Sequence, residues 1–220
     1  MAMTQFIELS HIIEAGMLTY TGLPGPVISD HMSREDSESH YSDGTTFQIG
    51  KIEMIANTGT YIDAPFHRYE AGRDLSALKM ASIANLDGIV FRAAQGTRSI
   101  DKDVFESDTV EGKAVLIHTG WDRHWRTDAY FENHPFLTRN AAEYLKSSGA
   151  ALVGIDSLNI DDTGDGSRPA HSILLKANIP IVEHLCHLEV LPAEGFKFFA
   201  VPAPVKGLGS FPVRAFALID

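Results

Sequence analysis

The chemistry of this chain is concentrated in residues 57–67, which read NTGTYIDAPFH. The segment contains a carboxylate, Asp63, and an imidazole, His67, two side chains that bind metal ions or transfer protons. Gly59 and Pro65 interrupt it, because glycine permits unusual backbone angles and proline fixes φ and lacks an N–H. The pattern predicts the end of a strand that opens into an active-site loop.

Residues two or four apart in an extended segment point to the same face. If the path stays extended, the residues that face one cavity are Asn57, Gly59, Tyr61, Asp63 and His67. The alternative is a polar strand end, in which Asp63 caps a turn and His67 packs on Phe66. Short Asp and His clusters often match a pattern without having its function, so spacing alone leaves both interpretations open.

Further candidate ligands lie in the C-terminal half of the chain. His171 falls near the start of a predicted helix, and Glu183 follows the apolar run at residues 180–182. A carboxylate after so apolar a strand is costly unless it is paired, protonated or bound to a cation. A catalytic metal site needs about three protein ligands, so His171 and Glu183 are candidates to complete a site with Asp63. The alternative for Glu183 is a salt bridge at the strand end.

Residues 57–67 resemble the signature H-x-G-T-H-x-D-x-P-x-H of the cyclase-like metal-dependent hydrolase family, which includes bacterial kynurenine formamidase and isatin hydrolase. The matching residues are Gly59, Thr60, Asp63, Pro65 and His67. The resemblance extends to a later H-x-x-L-L pattern and a Glu twelve residues after its His, which here are His171 and Glu183. Asn57 and Tyr61 depart from the signature, because the family has His at both positions.

The resemblance implies a role for each matching residue. Asp63, His171 and Glu183 would hold one divalent metal ion, and His67 would transfer the proton. The second family site would consist of Asn57, Tyr61 and Asp63, where zinc should bind poorly and a harder cation could still accept the Asn carbonyl oxygen. We therefore expect at most one metal ion per chain, Mn²⁺ or Zn²⁺. Tyr61 is expected to donate a hydrogen bond to an oxyanion.

The implied reaction is hydrolysis of a small amide, lactone or cyclic imide by a metal-activated water. The alternative is a non-catalytic family member that has lost one metal site and binds a small ligand or has a structural role. The retained quartet of Asp63, His67, His171 and Glu183 favours the enzyme. Nucleophilic hydrolysis is not expected, because no G-x-S-x-G motif is present and the single cysteine, Cys186, has no orienting context. Trp121, Phe47 and Phe66 are candidate walls for a planar substrate.

The elements that must position these residues alternate between strands and helices. Strands are predicted at residues 6–10, 45–56, 88–92, 114–118, 151–156, 179–183, 196–201 and 213–219. Helices are predicted at residues 137–146, with Thr138 as N-cap, and 169–178, with shorter turns at 74–78 and 101–105. This order predicts an α/β fold with mixed sheets. The family resemblance implies a compact three-layer β/β/α arrangement, a single domain over residues 1–220.

Composition limits the partners. A formal charge of -11 and a pI near 5.3 argue against a nucleic-acid surface and leave a small-molecule substrate as the expected partner. No apolar run is long enough to span a bilayer, and residues 1–5 lack the pattern of a signal peptide, so we expect a cytoplasmic protein without membrane contact. The family resemblance implies a homodimer or homotetramer. An irregular arm around residues 16–26 could cover a neighbouring subunit or the mouth of the active site.

Overall fold

The computed structural model describes residues 4–105 and 109–219. Its strands are β1 (Gln5–Glu8), β2 (Val27–Met32), β3 (Ile49–Glu53), β4 (Tyr61–Asp63), β5 (Leu86–Arg92), β6 (Ser99–Ile100), β7 (Ala114–His118), β8 (Phe136–Leu137), β9 (Leu152–Ile155), β10 (Ile181–Glu183), β11 (Glu194–Phe199), β12 (Ser210–Pro212) and β13 (Phe216–Ile219). Its α-helices are α1 (Arg34–Ser37), α2 (Arg139–Ser147) and α3 (Pro169–Lys176). Short 3₁₀ helices, including Pro65–His67, connect them.

Nine strands form one mixed sheet in the order β1-β13-β11-β5-β7-β9-β10-β4-β12. The four central strands β5, β7, β9 and β10 are parallel, and the flanking pairs are antiparallel. Parallel strands are buried on both faces, which explains why these strands are continuous apolar runs in the sequence. The predicted α/β fold with mixed sheets, a three-layer β/β/α arrangement, is confirmed.

The sheet separates two hydrophobic clusters. In β5, Ile89 and Phe91 belong to one cluster and Val90 to the other, as the two-residue period of a strand requires. The first cluster includes the apolar faces of α2 and α3, so the helices cover that face of the sheet. The buried central strands of the sheet give the site a rigid base.

Local signals fix the two longer helices. The Thr138 side chain accepts a hydrogen bond from the Ala141 N–H at the start of α2, as predicted. Pro169 occupies the first turn of α3, where its missing N–H costs nothing. Within the described ranges, no helix combines the length and the apolar character needed to cross a membrane.

The strand predicted at residues 45–56 is shorter than expected and is not part of the large sheet. It is β3, which pairs only with β2 in a separate two-stranded ribbon. The chain then leaves the ribbon and enters the large sheet at β4. The break follows from Thr58 and Gly59, because Gly59 adopts a left-handed φ of 63° that an extended strand cannot contain.

Candidate metal centre

The pairing of β4 places the candidate side chains at one end of the sheet. β4 lies between β10 and β12, so Tyr61 is directly opposite Glu183, and Asp63 is directly opposite Ser210. After Asp63 the chain turns into the 3₁₀ helix Pro65–His67, which brings His67 back over the strand end. Proline at the start of this turn both ends the strand and begins the helix.

A cleft of about 260 Å³ opens at this end of the sheet. Its walls are contributed by the N-terminal arm, residues 57–68, the loop after β9 and the start of α3. The lining residues are Tyr20, Leu23, Asn57, Tyr61, His67, Arg68, Asn159, Arg168 and His171. The segment is a strand over Tyr61–Asp63 and then turns at Pro65, and Asn57, Tyr61 and His67 face one cavity.

Asp63, His67 and His171 form the centre of the site. One potential ligand atom from each lies within 4.8 Å of the others. Asp63 is fully buried, and its Oδ2 lies 3.5 Å from Nε2 of His171. Among the described residues, that Oδ2 atom has no hydrogen-bond partner. A buried carboxylate oxygen without a donor is costly, and a bound cation would remove the cost.

His171 is held by a carboxylate behind it. Asp161 accepts hydrogen bonds from Nδ1 of His171 at 2.7 Å and from the backbone N–H groups of Ala170 and His171 at 2.6 and 3.0 Å. The carboxylate thus occupies the N-terminus of α3 and fixes the imidazole at the same time. With Nδ1 donating to Asp161, Nε2 faces Asp63 and Glu183, the arrangement that orients histidine ligands in metal sites.

His67 is held from the other side by a hydroxyl. Ser210 Oγ donates to Oδ1 of Asp63 and lies 2.8 Å from Nδ1 of His67. A serine hydroxyl has one proton, so Ser210 must accept the Nδ1 proton of a neutral His67. The Nε2 atom of His67 is then the unprotonated nitrogen and can accept a proton.

Glu183 is buried in a network of donors. Its Oε1 accepts from the Ile160 N–H at 2.6 Å and lies 3.6 Å from Nε2 of His171. Its Oε2 accepts from the hydroxyl of Tyr61, whose oxygen is 2.8 Å from the Tyr20 hydroxyl. The Tyr20 side chain comes from the N-terminal arm, so the arm covers the cleft of its own chain.

The carboxylates of the site favour a positive charge on His171. Burial lowers the pKa of His171, but Glu183, Asp161 and Asp63 overcome this effect and raise it to about 10. Burial, with the nearby Glu183 carboxylate, raises the pKa of the Tyr61 phenol well above its usual value. Tyr61 is therefore a neutral hydrogen-bond donor and not a phenolate ligand.

A divalent metal ion fits the group of Asp63, His67 and His171, and Glu183 lies beside His171. Donors about 2.1 Å from a tetrahedral ion are separated by about 3.4 Å, close to the 3.5 and 3.6 Å that separate His171 Nε2 from Asp63 and Glu183. The unpaired Asp63 oxygen and Nε2 of His171, which would release its proton to an incoming ion, supply two strong donors. The mixture of oxygen and nitrogen donors suits both zinc and manganese.

Some site residues could not be predicted and some predictions were wrong. Tyr20, Asp161 and Ser210 have no spacing signal, because they are far from residues 57–67 in sequence and meet them only in the fold.

The candidate aromatic walls do not line the cleft within the described ranges: Phe47 is 51% exposed, and Trp121 instead donates its indole N–H to the Tyr130 carbonyl. Phe66 also lies outside the lining. Cys186 is buried, and burial raises the pKa of its thiol to about 12, which fits the absence of a nucleophilic role.

Known proteins with the same sequence pattern and fold include hydrolases. The sequence model of the family "Putative cyclase" matches residues 7–162. Kynurenine formamidase of Bacillus cereus is 28% identical over 216 residues, which cover 98% of each chain. A solved structure described as a potential metal-dependent hydrolase with cyclase activity is 25% identical and superposes with a TM-score of 0.81 over 99% of both chains. Isatin hydrolase A from Ralstonia solanacearum is 20% identical and has the same fold, with a TM-score of 0.82 over 99% of this chain and 92% of the other.

Proposed function

The chain belongs to the cyclase family of metal-dependent hydrolases, and on that premise we propose that it hydrolyses a small amide, lactone or cyclic imide in the cleft beside Asp63 and His171. The observation that carries the proposal is the buried Oδ2 of Asp63, which has no hydrogen-bond partner among the described residues and faces Nε2 of His171. The similarity to kynurenine formamidase supports an amide substrate. The small cleft supports a substrate of one or two rings.

Asp63, His171 and Glu183 would hold the divalent ion, Mn²⁺ or Zn²⁺, and Asn57 would offer its carbonyl oxygen from the cleft wall. When bound, such an ion polarises the substrate carbonyl and lowers the pKa of a coordinated water. Asp161 keeps His171 in the tautomer whose Nε2 can bind. Ser210 leaves the second oxygen of Asp63 available by binding only the first.

His67 is the proposed proton-transfer residue. Its Nδ1 is hydrogen-bonded to Ser210, and its side chain is 36% exposed on the cleft side of the buried Asp63. The unprotonated Nε2 can take a proton from the attacking water and return it to the leaving nitrogen or oxygen. A positioned acid-base group of this kind contributes about 10²- to 10⁴-fold in rate.

Tyr61 and Tyr20 position Glu183. The Tyr61 hydroxyl donates to Oε2 of Glu183. The Tyr20 hydroxyl oxygen lies 2.8 Å from the Tyr61 hydroxyl oxygen and helps to hold it in place. For Tyr61 to donate to an oxyanion, as predicted, its hydroxyl would have to turn from Glu183 to the substrate. The arm residues Tyr20 and Leu23 also narrow the cleft and exclude water.

The test is a set of three substrate classes: formanilide as the amide, phthalide as the lactone and phthalimide as the cyclic imide. Protein loaded with Mn²⁺ or Zn²⁺ is expected to hydrolyse at least one of them. His67→Gln should lower kcat by about 10²- to 10⁴-fold while the metal content stays the same. His40→Gln, at an exposed position outside the cleft, is the matched control. Failure of the loaded wild-type protein on all three classes would overturn the proposed substrate range.

A further inference from the structure

Two arginines line the cleft of a chain whose formal charge is -11. Arg68 follows His67 at the end of the 3₁₀ helix, and Arg168 immediately precedes α3, the helix that carries His171. The two guanidinium groups therefore flank the two histidines of the site. They place two positive charges beside the site where the substrate of the proposed function would bind.

Neither arginine is neutralised by the protein. Across residues 4–105 and 109–219, no carboxylate oxygen lies within 4.0 Å of a guanidinium nitrogen of Arg68 or Arg168. Arg98, Arg126 and Arg214, by contrast, each pair with an Asp or Glu. The positive charges of Arg68 and Arg168 are thus not neutralised by direct contact with the buried carboxylates of the metal centre.

The protein anchors each guanidinium by a single N–H and leaves the others for a ligand. Nε of Arg68 donates to the Ser172 hydroxyl at 3.3 Å, and Nη1 of Arg168 donates to the Asp162 carbonyl at 3.2 Å. The Ser172 hydroxyl in turn donates to the Ser167 carbonyl at 3.3 Å, which ties the two arginine segments together. An arginine has five N–H donors, so each retains several without an acceptor in the described part of the chain.

The backbone at Arg168 is held in an unusual conformation. Its φ is 45°, in the left-handed region that costs a non-glycine residue about 1 kcal/mol or more. Asp161, which binds the first N–H groups of α3, and Pro169, which begins the helix, hold this turn in place. Strain of this kind is characteristic of functional sites, where it aims a side chain that a relaxed turn would direct elsewhere.

We propose that Arg68 and Arg168 bind an anionic group of the substrate, a carboxylate, at the rim of the cleft. The forked donors of guanidinium groups match the two oxygens of a carboxylate. This inference rests on the proposed function for its consequence: the substrate is a small amide, lactone or cyclic imide that carries a carboxylate beside its scissile bond. The two arginines are specificity-determining residues, and the chemistry is performed by the metal centre.

Binding of two inert acids tests the anion site without turnover. Benzoate has one carboxylate and phthalate has two, so phthalate can occupy the metal centre and the arginines together. In full-length protein supplied with Mn²⁺, calorimetry should show phthalate binding at least about tenfold more tightly than benzoate. Arg68→Gln and Arg168→Gln should each lower this ratio by about fivefold or more, and Arg139→Gln, an exposed arginine outside the cleft, should not.

A ratio near one in the wild type, or a ratio unchanged in both cleft variants, would overturn the anion site. Thermal unfolding of each variant checks that a lost ratio does not reflect a lost fold. Hydrolysis of N-formylanthranilate and formanilide, which differ by one carboxylate, separates this inference from the proposed function. If phthalate binds as expected and neither formamide is hydrolysed, the proposed function fails and the anion site stands. If both are hydrolysed equally and the binding ratio is near one, the anion site fails and the hydrolase stands.

Discussion

We propose that two residues of the signature segment determine how many ions the cleft can hold. Asn57 and Tyr61 occupy the positions where the family signature has histidine. The Tyr61 hydroxyl donates to Glu183, so on this proposal the segment orients a ligand of one ion and does not hold a second.

Restoring both histidines should restore a second ion. In Asn57→His/Tyr61→His, two imidazoles join the Asp63 carboxylate, a donor set that zinc prefers. The double variant is expected to bind about two Zn²⁺ ions per chain, where the wild type binds about one. Titration calorimetry with elemental analysis measures both values. Asn57→Gln/Tyr61→Phe is the matched control and should bind one ion or fewer. If the double-histidine variant also binds only one ion, positions 57 and 61 do not determine the number of ions.

His11 provides a pH-dependent contribution to stability outside the metal centre. It stacks on Trp125 with ring centroids 4.0 Å apart, and burial, aided by His187 and Arg126, lowers its pKa to about 4. The folded state therefore disfavours the charged form, so the contribution is complete above the ordinary pKa of about 6.5 and is lost as the pH falls toward 4.

The expected loss from His11 is up to about 3 kcal/mol in the free energy of unfolding between pH 6.5 and pH 4. In His11→Phe, which keeps an aromatic ring on Trp125 but cannot titrate, this part of the pH dependence should disappear. Urea unfolding at several pH values gives the comparison, with His40→Gln as an exposed control. Parallel curves for wild type and His11→Phe would show that His11 does not titrate as inferred.

At the scale of elements, the site depends on a three-residue strand and the first turn of a helix. β4 sets Tyr61 against Glu183 and Asp63 against Ser210 by its register alone, and a shift of one residue would turn Asp63 to the other face. α3 contributes His171 from its first turn, where Asp161 binds two backbone N–H groups and the imidazole together. Short elements can be this precise because the strands around them are buried.

Asp161→Asn tests this double role of the helix terminus. The amide keeps one of the two accepting oxygens, and it lacks the negative charge that orients and strengthens the imidazole ligand. The affinity for Mn²⁺ or Zn²⁺ is expected to fall about 10- to 100-fold by calorimetry, with the fold intact by circular dichroism. Asp165→Asn, in the same loop but exposed, should leave the affinity unchanged. Equal metal affinities for the wild type and Asp161→Asn would show that Asp161 does not support metal binding by His171.

The elements differ in how far the sequence predicts them. β7 was predicted at its observed residues 114–118, and the start of α2 at Thr138, because an apolar β-branched run and an N-cap are local signals. The contacts of Tyr20 with Tyr61 and of Ser210 with His67 join residues 41 and 143 positions apart, and no local signal reports such a contact. The candidate metal ligands could be proposed because they match the spacing of the family signature, whereas their supporting residues required the fold.

At the scale of the whole molecule, the ribbon of β2 and β3 is unusual. It pairs with no other strand of the described chain, and its apolar side chains are exposed: Val27 by 58%, Ile28 by 47%, Ile49 by 48% and Ile52 by 58%. A two-stranded ribbon is marginal in water, and an exposed apolar surface of this kind marks an interaction site. We propose that a second copy of the chain packs on the ribbon, as the expected homodimer or homotetramer would require.

Charging the ribbon tests this prediction. Ile28 and Ile52 are directly opposite each other, so Ile28→Lys/Ile52→Lys places two like charges on one face of the surface. Light scattering after gel filtration should give a multiple of 24.1 kDa for the wild type and 24.1 kDa for the variant. Met80→Lys, at an apolar position that is 61% exposed outside the ribbon, is the control. A monomeric wild type, or a variant of unchanged mass, would rule out the ribbon as the subunit interface.

If the cleft holds one divalent metal ion on Asp63 and His171 with Glu183 beside them, as proposed, the metal content of the purified chain is the most direct test. Elemental analysis after loading with Mn²⁺ or Zn²⁺ and removal of free ions should give about one ion per chain in the wild type. Asp63→Asn and Glu183→Gln, which keep side-chain volume, should each lose it with the fold intact. No stoichiometric ion under any loading would contradict the claim and favour a protein that binds a small ligand without metal chemistry.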